Sequence, residues 1–315
     1  MKTTLTLLAT ALLAISAASH ADDLRTPAID GVVAANTPVQ FIKDGFEGTE
    51  GPIGLPDGSL IFTETRANRI TRIAADGSTS PFLNNSNGAN GLAFDAQGNL
   101  LAVQTVKPQV GVIYPKGKEK VLATEYDGAP LARPNDLVVD KRSGIYFTDP
   151  GVNGKTEGPQ PPKALYYLSP AGKLQRLAND IARPNGVQLS PDEKTLYIAN
   201  TAGEHVLAYD VGADGAISNR RDFARLEGFN PNAENGPSSG ADGLAVDARG
   251  RLYVASTAGV QVFSDKGKAL GIIPLPKPPQ NLAFAGTDRK TLYVVGRGAA
   301  YKIAALTPGV PGRAK

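Results

Sequence analysis

From residue 40 onward, apolar and polar positions alternate with a period of two, in short runs bounded by Gly, Pro, Asp and Asn. Runs such as SLIFTET, NLLAVQT, GIYFTDP, TLYIANT, RLYVAST and TLYVVGR are rich in β-branched and aromatic residues, as half-buried strands are. No segment beyond the N-terminal stretch carries the spacing of an amphipathic helix. Turn residues fall where hairpins need them: Pro56-Asp57-Gly58, Gln97-Gly98-Asn99, Arg142-Ser143-Gly144, Pro191-Asp192-Glu193, Arg249-Gly250 and Thr287-Asp288-Arg289. A third strand follows in each unit (NRITRIA, VGVIYP, ALYYLSP, HVLAYDV, GVQVFSD, AAYKIAA), and a fourth is expected before the next. Four strands recurring six times, at about 40–50 residues per unit, predict an all-β fold, a six-bladed β-propeller with a central channel. Residues 22–315 are read as one such domain, with residues 37–43 completing the last blade beside Ala299–Ala305.

The repeats align a set of polar residues. Glu50, Asn90, Asn135, Asn185, Asp242 and Gln280 each stand at the opening of a unit, 40, 45, 50, 57 and 38 residues apart. All six carry a side-chain oxygen, and a circular repeat brings them to one place. A second series closes the following strand: Glu64, Gln104, Asp149, Asn200, Ser256 and Gly296. In an antiparallel hairpin the start of one strand and the end of the next share an edge. Both series are therefore expected at one mouth.

Composition narrows the chemistry. The chain has no cysteine, which excludes disulfides, thiolate nucleophiles and sulfur-held metals. Lys2, the apolar run LTLLATALLAI and Ser19-His20-Ala21 form an export signal pattern, so residues 1–21 are expected to be cleaved after Ala21. That run is shorter than the roughly 20 residues a membrane span requires. The mature protein is expected to be exported, periplasmic in a bacterium, and by default monomeric. The net charge of +3 has no concentrated basic face beyond Lys116-Gly117-Lys118-Glu119-Lys120, so neither nucleic acid nor membrane is an expected partner. His205 is the one histidine outside the export segment, it opens a third strand, and no G-x-S-x-G elbow occurs, which disfavours a serine triad.

Two carboxylates and several amide oxygens converging on an axis suit a hard divalent cation: Ca2+ first, then Mg2+ or Mn2+. Glu50, Asn185 and Asp242 are the expected ligands, with Asn135 a fourth ligand or a substrate contact. Asn and Asp also favour turn-to-strand junctions for local hydrogen bonding alone. Six in register go beyond that. The tetrapeptide Ala-Arg-Pro-Asn occurs twice, at 132–135 and 182–185, and its proline fixes the backbone that aims each asparagine. Segments 151–162 and 228–240 are long enough to act as lids.

The motifs FEGTEGPIG, NGANGLAFD, RPNDLVVD with GIYFTDP, RPNGVQLSPDEKTLYIANT, GADGLAVDARGRLYVAS and DRKTLYVV resemble the senescence marker protein (regucalcin)/gluconolactonase family, from Phe46 to Ile303. The resemblance implies one divalent metal (Zn2+ also possible) on Glu50, Asn185 and Asp242, with Asn135 beside it and Arg133 contacting substrate. It implies hydrolysis of a sugar lactone, with Asp242 as general base and Asp149 or Glu64 as further candidates at the substrate. The chain departs from the usual pattern at Asn200 and around Thr63-Glu64-Thr65. An aryl-ester or phosphotriester hydrolase on the same scaffold, or a non-catalytic calcium- or partner-binding propeller, are the competing expectations.

Overall fold

The structure is a computed structural model, and it describes residues 24–152 and 163–312. The expected export segment and most of the 151–162 lid lie outside the described residues. Six four-stranded antiparallel sheets follow one another along the chain, with a two-stranded hairpin, Glu125–Tyr126 with Ala129–Pro130, inserted before the third. The first strands are Thr49–Gly54, Ala89–Phe94, Leu137–Val139, Pro184–Leu189, Leu244–Val246 and Asn281–Ala285. Each touches the first strand of the next blade, and the sixth touches the first, so the sheets close into a ring. Closure is made as the sequence implies: Gln40–Asp44 pairs antiparallel with Ala299–Ala304 and becomes the outer strand of the last blade.

Local chemistry explains the hairpins. The turn between first and second strands holds a residue in the left-handed region in every blade: Gly58, Gly98, Ser143, Glu193, Gly250 and Arg289. Asp95, Asp140 and Asp247, the last residues before their turns, each accept two backbone N–H bonds from the turn at 2.8–3.0 Å. Between blades the alternating apolar residues interleave. Ile53, Ile61 and Ile70 of the first blade pack with Leu92, Leu100 and Ala102 of the second. Val138, Tyr146 and Leu165 meet Val187, Leu196 and Ile198 in the same way. Each such fully buried side chain stabilises the ring by about 1.5–3 kcal/mol.

At the opening of the blades the backbone leaves regular pairing. Glu50 pairs with Thr63 but Ile53 with Ile61, so one extra residue lies on the first strand. The second and fourth blades carry the same one-residue slip, between Ala89 and Leu92 and between Pro184 and Val187. A bulge of this kind re-aims a side chain. Here it falls beside Glu50, Asn90 and Asn185.

Glycine follows the polar residue in four blades, and it lets neighbouring strands approach. Gly91 N–H donates to the Asn135 carbonyl at 2.9 Å, Gly186 N–H to that of Asp242 at 3.1 Å, and Gly243 N–H to that of Gln280 at 2.8 Å. A Cβ on Gly186 would lie 2.2 Å from the Asp242 carbonyl oxygen. Threonine hydroxyls supply the equivalent bond elsewhere, Thr63 to the Asn90 carbonyl and Thr148 to that of Asn185. Five of the six polar residues are thus held by their backbones from the preceding blade.

Candidate functional site

All six opening residues line one cavity of about 490 Å³: Glu50, Asn90, Asn135, Asn185, Asp242 and Gln280. Of the hollows at the opposite end of the blades, one of about 720 Å³ is walled by Phe82, Phe94, Tyr114 and Phe284, and another holds Asp95, Asp140 and Glu193, whose carboxylates accept hydrogen bonds from turn amides. The convergence follows from ring closure, the bulges and the glycine contacts acting together.

Glu50 and Asn185 are 8% and 9% exposed, so their side chains sit in the wall with little water around them. Glu50 accepts from Gln280 Nε2 and from Asn281 Nδ2, both at 3.3 Å. Asn185 Nδ2 donates to Thr201 Oγ1 at 3.1 Å, and Thr201 in turn donates to the Ala241 carbonyl at 2.6 Å. That bond fixes which end of the amide faces the cavity. Asn90 Oδ1, Asn185 Oδ1 and Asp242 Oδ1 are buried and have no hydrogen-bond partner among the described residues. Burial pushes the Asp242 carboxyl well above the usual carboxylate range, and the charges of Glu50 and Asp136 push it further. Arg297 and Arg183 act in the opposite sense without offsetting this.

A buried acceptor with no donor, beside carboxylates that repel one another, is a donor set suited to a cation. Glu50, Asn185 and Asp242 fit one. Among the described residues no three His, Cys, Asp or Glu side chains form a cluster, so a cation here relies on asparagine oxygen as well as carboxylate.

The second polar series is placed differently. Glu64, expected at the substrate, is fully buried and does not line the cavity; it accepts from Glu47 N, from Arg69 Nε and Nη2, and from Thr71 Oγ1 at 2.5–3.0 Å. Desolvation raises the Glu64 carboxyl, but the bonds from Arg69, Thr71 and Glu47 and the Arg69 charge outweigh it and leave the group below its usual value. Asp149, also expected at the substrate, is 1% exposed and accepts from Ala132 N, Arg133 N and Gly151 N at 2.7–3.0 Å. Burial raises its carboxyl despite those bonds. Asn200 Oδ1 accepts from Arg183 N at 3.1 Å. These groups fasten loops, because alternation along the strand turns their side chains away from the mouth. The residues that reach the cavity are their successors, Thr65, Pro150, Thr201, Thr257 and Arg297.

Arg133 and Asn135 do line the cavity, as do Ser238 and Gly240 of the 228–240 segment. Asp136, one residue beyond Asn135, is buried under the cavity, with Leu137 N and Val187 N donating to it. Arg66, Arg183 and Arg297 complete the wall and went unread in the sequence, although Arg183 stands in the same tetrapeptide as Arg133. His205 lies outside, 4.0 Å from Asp222 on the outer strand of its blade.

The chain is similar to gluconolactonase of Zymomonas mobilis, 28% identical over 295 residues that cover 85% of this chain and 82% of that one. Human regucalcin is 32% identical over 186 residues, covering 55% of this chain and 58% of the relative. Among solved structures, a gluconolactonase from Xanthomonas campestris superposes with a TM-score of 0.78 at 28% identity, covering 90% of this chain and 96% of that one. A luciferin-regenerating enzyme at 19% identity shares the fold, with a TM-score of 0.69. The model of the SMP-30/Gluconolactonase/LRE-like region matches residues 48–297, which takes in the first strand of every blade and every residue that lines the cavity: the chain belongs to this family.

Proposed function

We propose that the protein is a carboxylic ester hydrolase that opens a sugar lactone in this cavity, using a divalent cation, Ca2+ first, held by Glu50, Asn185 and Asp242 with Asn135 beside it. The observation that carries the reading is that Asn185 Oδ1 and Asp242 Oδ1, with Asn90 Oδ1 a third, are buried and without a hydrogen-bond partner among the described residues, in a wall shared with Glu50. A bound divalent cation would polarise the lactone carbonyl and make adjacent water more acidic.

The chain's own groups supply the remaining steps. Asp242 has two carboxylate oxygens, one for the cation and one to take a proton from the attacking water. Water oxygen bonds to the carbonyl carbon, and the Asn135 amide and the Arg133 guanidinium donate to the carbonyl oxygen as it gains charge. The ring C–O bond then breaks, the proton passes from Asp242 to the departing oxygen, and a hydroxy acid is released. Glu64 and Asp149 have no part in this, since neither lines the cavity. Gln280 and Asn281, donating to Glu50, hold its carboxylate in place. Export by residues 1–21 belongs to the same proposal, and a mature protein whose N-terminus reads Asp22-Asp23 is its check.

The test is a substrate panel with and without EDTA. Gluconolactone hydrolysis lost on chelation and restored by Ca2+, Mn2+ or Zn2+ supports the reading, as does loss of activity with retained fold in Asp242→Asn and Glu50→Gln. Turnover of phosphotriesters or aryl esters in place of lactones favours the alternative hydrolase, and silence on all of them favours a binding protein. Near-normal lactone turnover in Asp242→Asn would overturn the account.

A further inference from the structure

Four arginines, Arg66, Arg133, Arg183 and Arg297, line the cavity, against two carboxylates, Glu50 and Asp242. All four are exposed at the mouth, and none forms an ion pair among the described residues. The chain as a whole carries a formal charge of only +3, so this is a local concentration of positive charge. A bound divalent cation would add to it.

The arginines stand on prepared backbone. Arg133 N–H is held by Asp149 Oδ1 at 2.9 Å, Arg183 N–H by Asn200 Oδ1 at 3.1 Å, and Arg297 N–H by Gln280 Oε1 at 2.8 Å. Arg66 N–H donates to the Glu47 carbonyl at 3.2 Å, and Glu47 N–H is in turn fixed by buried Glu64. Arg297 is kept at a φ of 50°, a left-handed conformation that a non-glycine residue holds only under constraint. Two of the four, Arg183 and Arg297, stand close enough to Asp242 for their charges to act on it. So the buried groups that close the second strands of three blades, together with Gln280, position the bases of the arginine side chains.

A neutral sugar presents hydroxyls, and Asn, Ser and Thr are sufficient to recognise those. Guanidinium forks match carboxylate and phosphate, with paired charge-assisted hydrogen bonds. We infer that the lactone opened here carries an anionic group of its own, a carboxylate or a phosphate on the part of the sugar remote from the reacting carbonyl, which Arg66, Arg183 and Arg297 bind. This rests on the reading of the cavity as a lactone-opening site. It deepens that reading by naming the substrate class. The carboxylate released from the lactone carbonyl could engage one fork, but it does not account for four.

The experiment compares kcat/KM for gluconolactone, glucarolactone and 6-phosphogluconolactone on the metal-loaded enzyme and on Arg66→Gln, Arg183→Gln and Arg297→Gln. Expected is a preference of at least about tenfold for an anionic lactone, which falls by about tenfold in each variant and weakens with rising salt. The better of the two acidic substrates tells carboxylate from phosphate. A ratio at or below one, or variants that slow neutral and anionic lactones alike, overturns the inference. Calorimetric binding of glucarate separates the two proposals if no lactone is turned over. Salt-sensitive binding lost in Arg183→Gln supports the anion site while the hydrolase reading falls, and no binding overturns the anion site.

Discussion

Replacing Glu64 by Gln separates loop fastening from catalysis. The carboxylate is fully buried and takes four hydrogen bonds, two of them from Arg69, whose own side chain is 41% exposed. Breaking a fully buried ion pair costs about 3–5 kcal/mol. Arg69 regains part of its hydration, so the expected loss is smaller, about 2–3 kcal/mol. In a chain of this size that lowers Tm by about 4–10 °C. Because the chain has no Trp, denaturant unfolding is followed by tyrosine fluorescence or circular dichroism.

The pH dependence has a definite sign. The Glu64 carboxyl lies below its ordinary 4.5 in the fold, so its contribution is complete above that value and is lost as pH falls through the folded value. The difference between wild type and Glu64→Gln is therefore full at neutral pH and closes below about pH 4.5. A variant as stable as wild type but with lactone kcat reduced by about a hundredfold or more would refute the reasoning and return Glu64 to the substrate.

Three further outcomes follow from the ring. Gly186→Ala forces a methyl group against the Asp242 carbonyl, so it is expected to lose about 1–3 kcal/mol in denaturation and to weaken cation binding measured by calorimetry. Thr201→Val removes the acceptor that aims the Asn185 amide and the donor to the Ala241 carbonyl, so cation affinity is expected to fall and the metal-free protein to lose about 1–3 kcal/mol in denaturation. Ser143→Gly, at an exposed turn residue with φ of 69°, is expected to raise stability by about 0.5 kcal/mol by denaturant midpoint; a loss instead would argue against left-handed strain there.

Much of this was legible in the chain. Alternation and turn chemistry mark the strands, and the six opening residues share a repeat position that closure carries to one cavity. Asp149 and Glu64 are misplaced by the pattern because the residue that closes each second strand turns toward the loop amides, and its successor, Pro150 or Thr65, reaches the cavity instead. Asp136 was hidden for a related reason: four blades have glycine at that position, so an acid there reads as an ordinary strand residue. The arginines sit in loops, where no periodicity marks them. Three turns with Ser143, Glu193 and Arg289 in the left-handed region lack the glycine that would have announced the conformation.

The pairing of Gln40–Asp44 with Ala299–Ala304 has a consequence for how the site can fail. A cavity to which every blade contributes its opening residue has no local subunit of structure, since its diameter is set by the circumference of the whole ring. The seam where the two ends of the fold meet therefore acts like the clasp of a bracelet, and a substitution there loosens all six oxygens at once. Ile42, which packs from the outer strand against the core of the last blade, is far from the cavity, yet its loss is expected to lower lactone turnover and cooperative stability together.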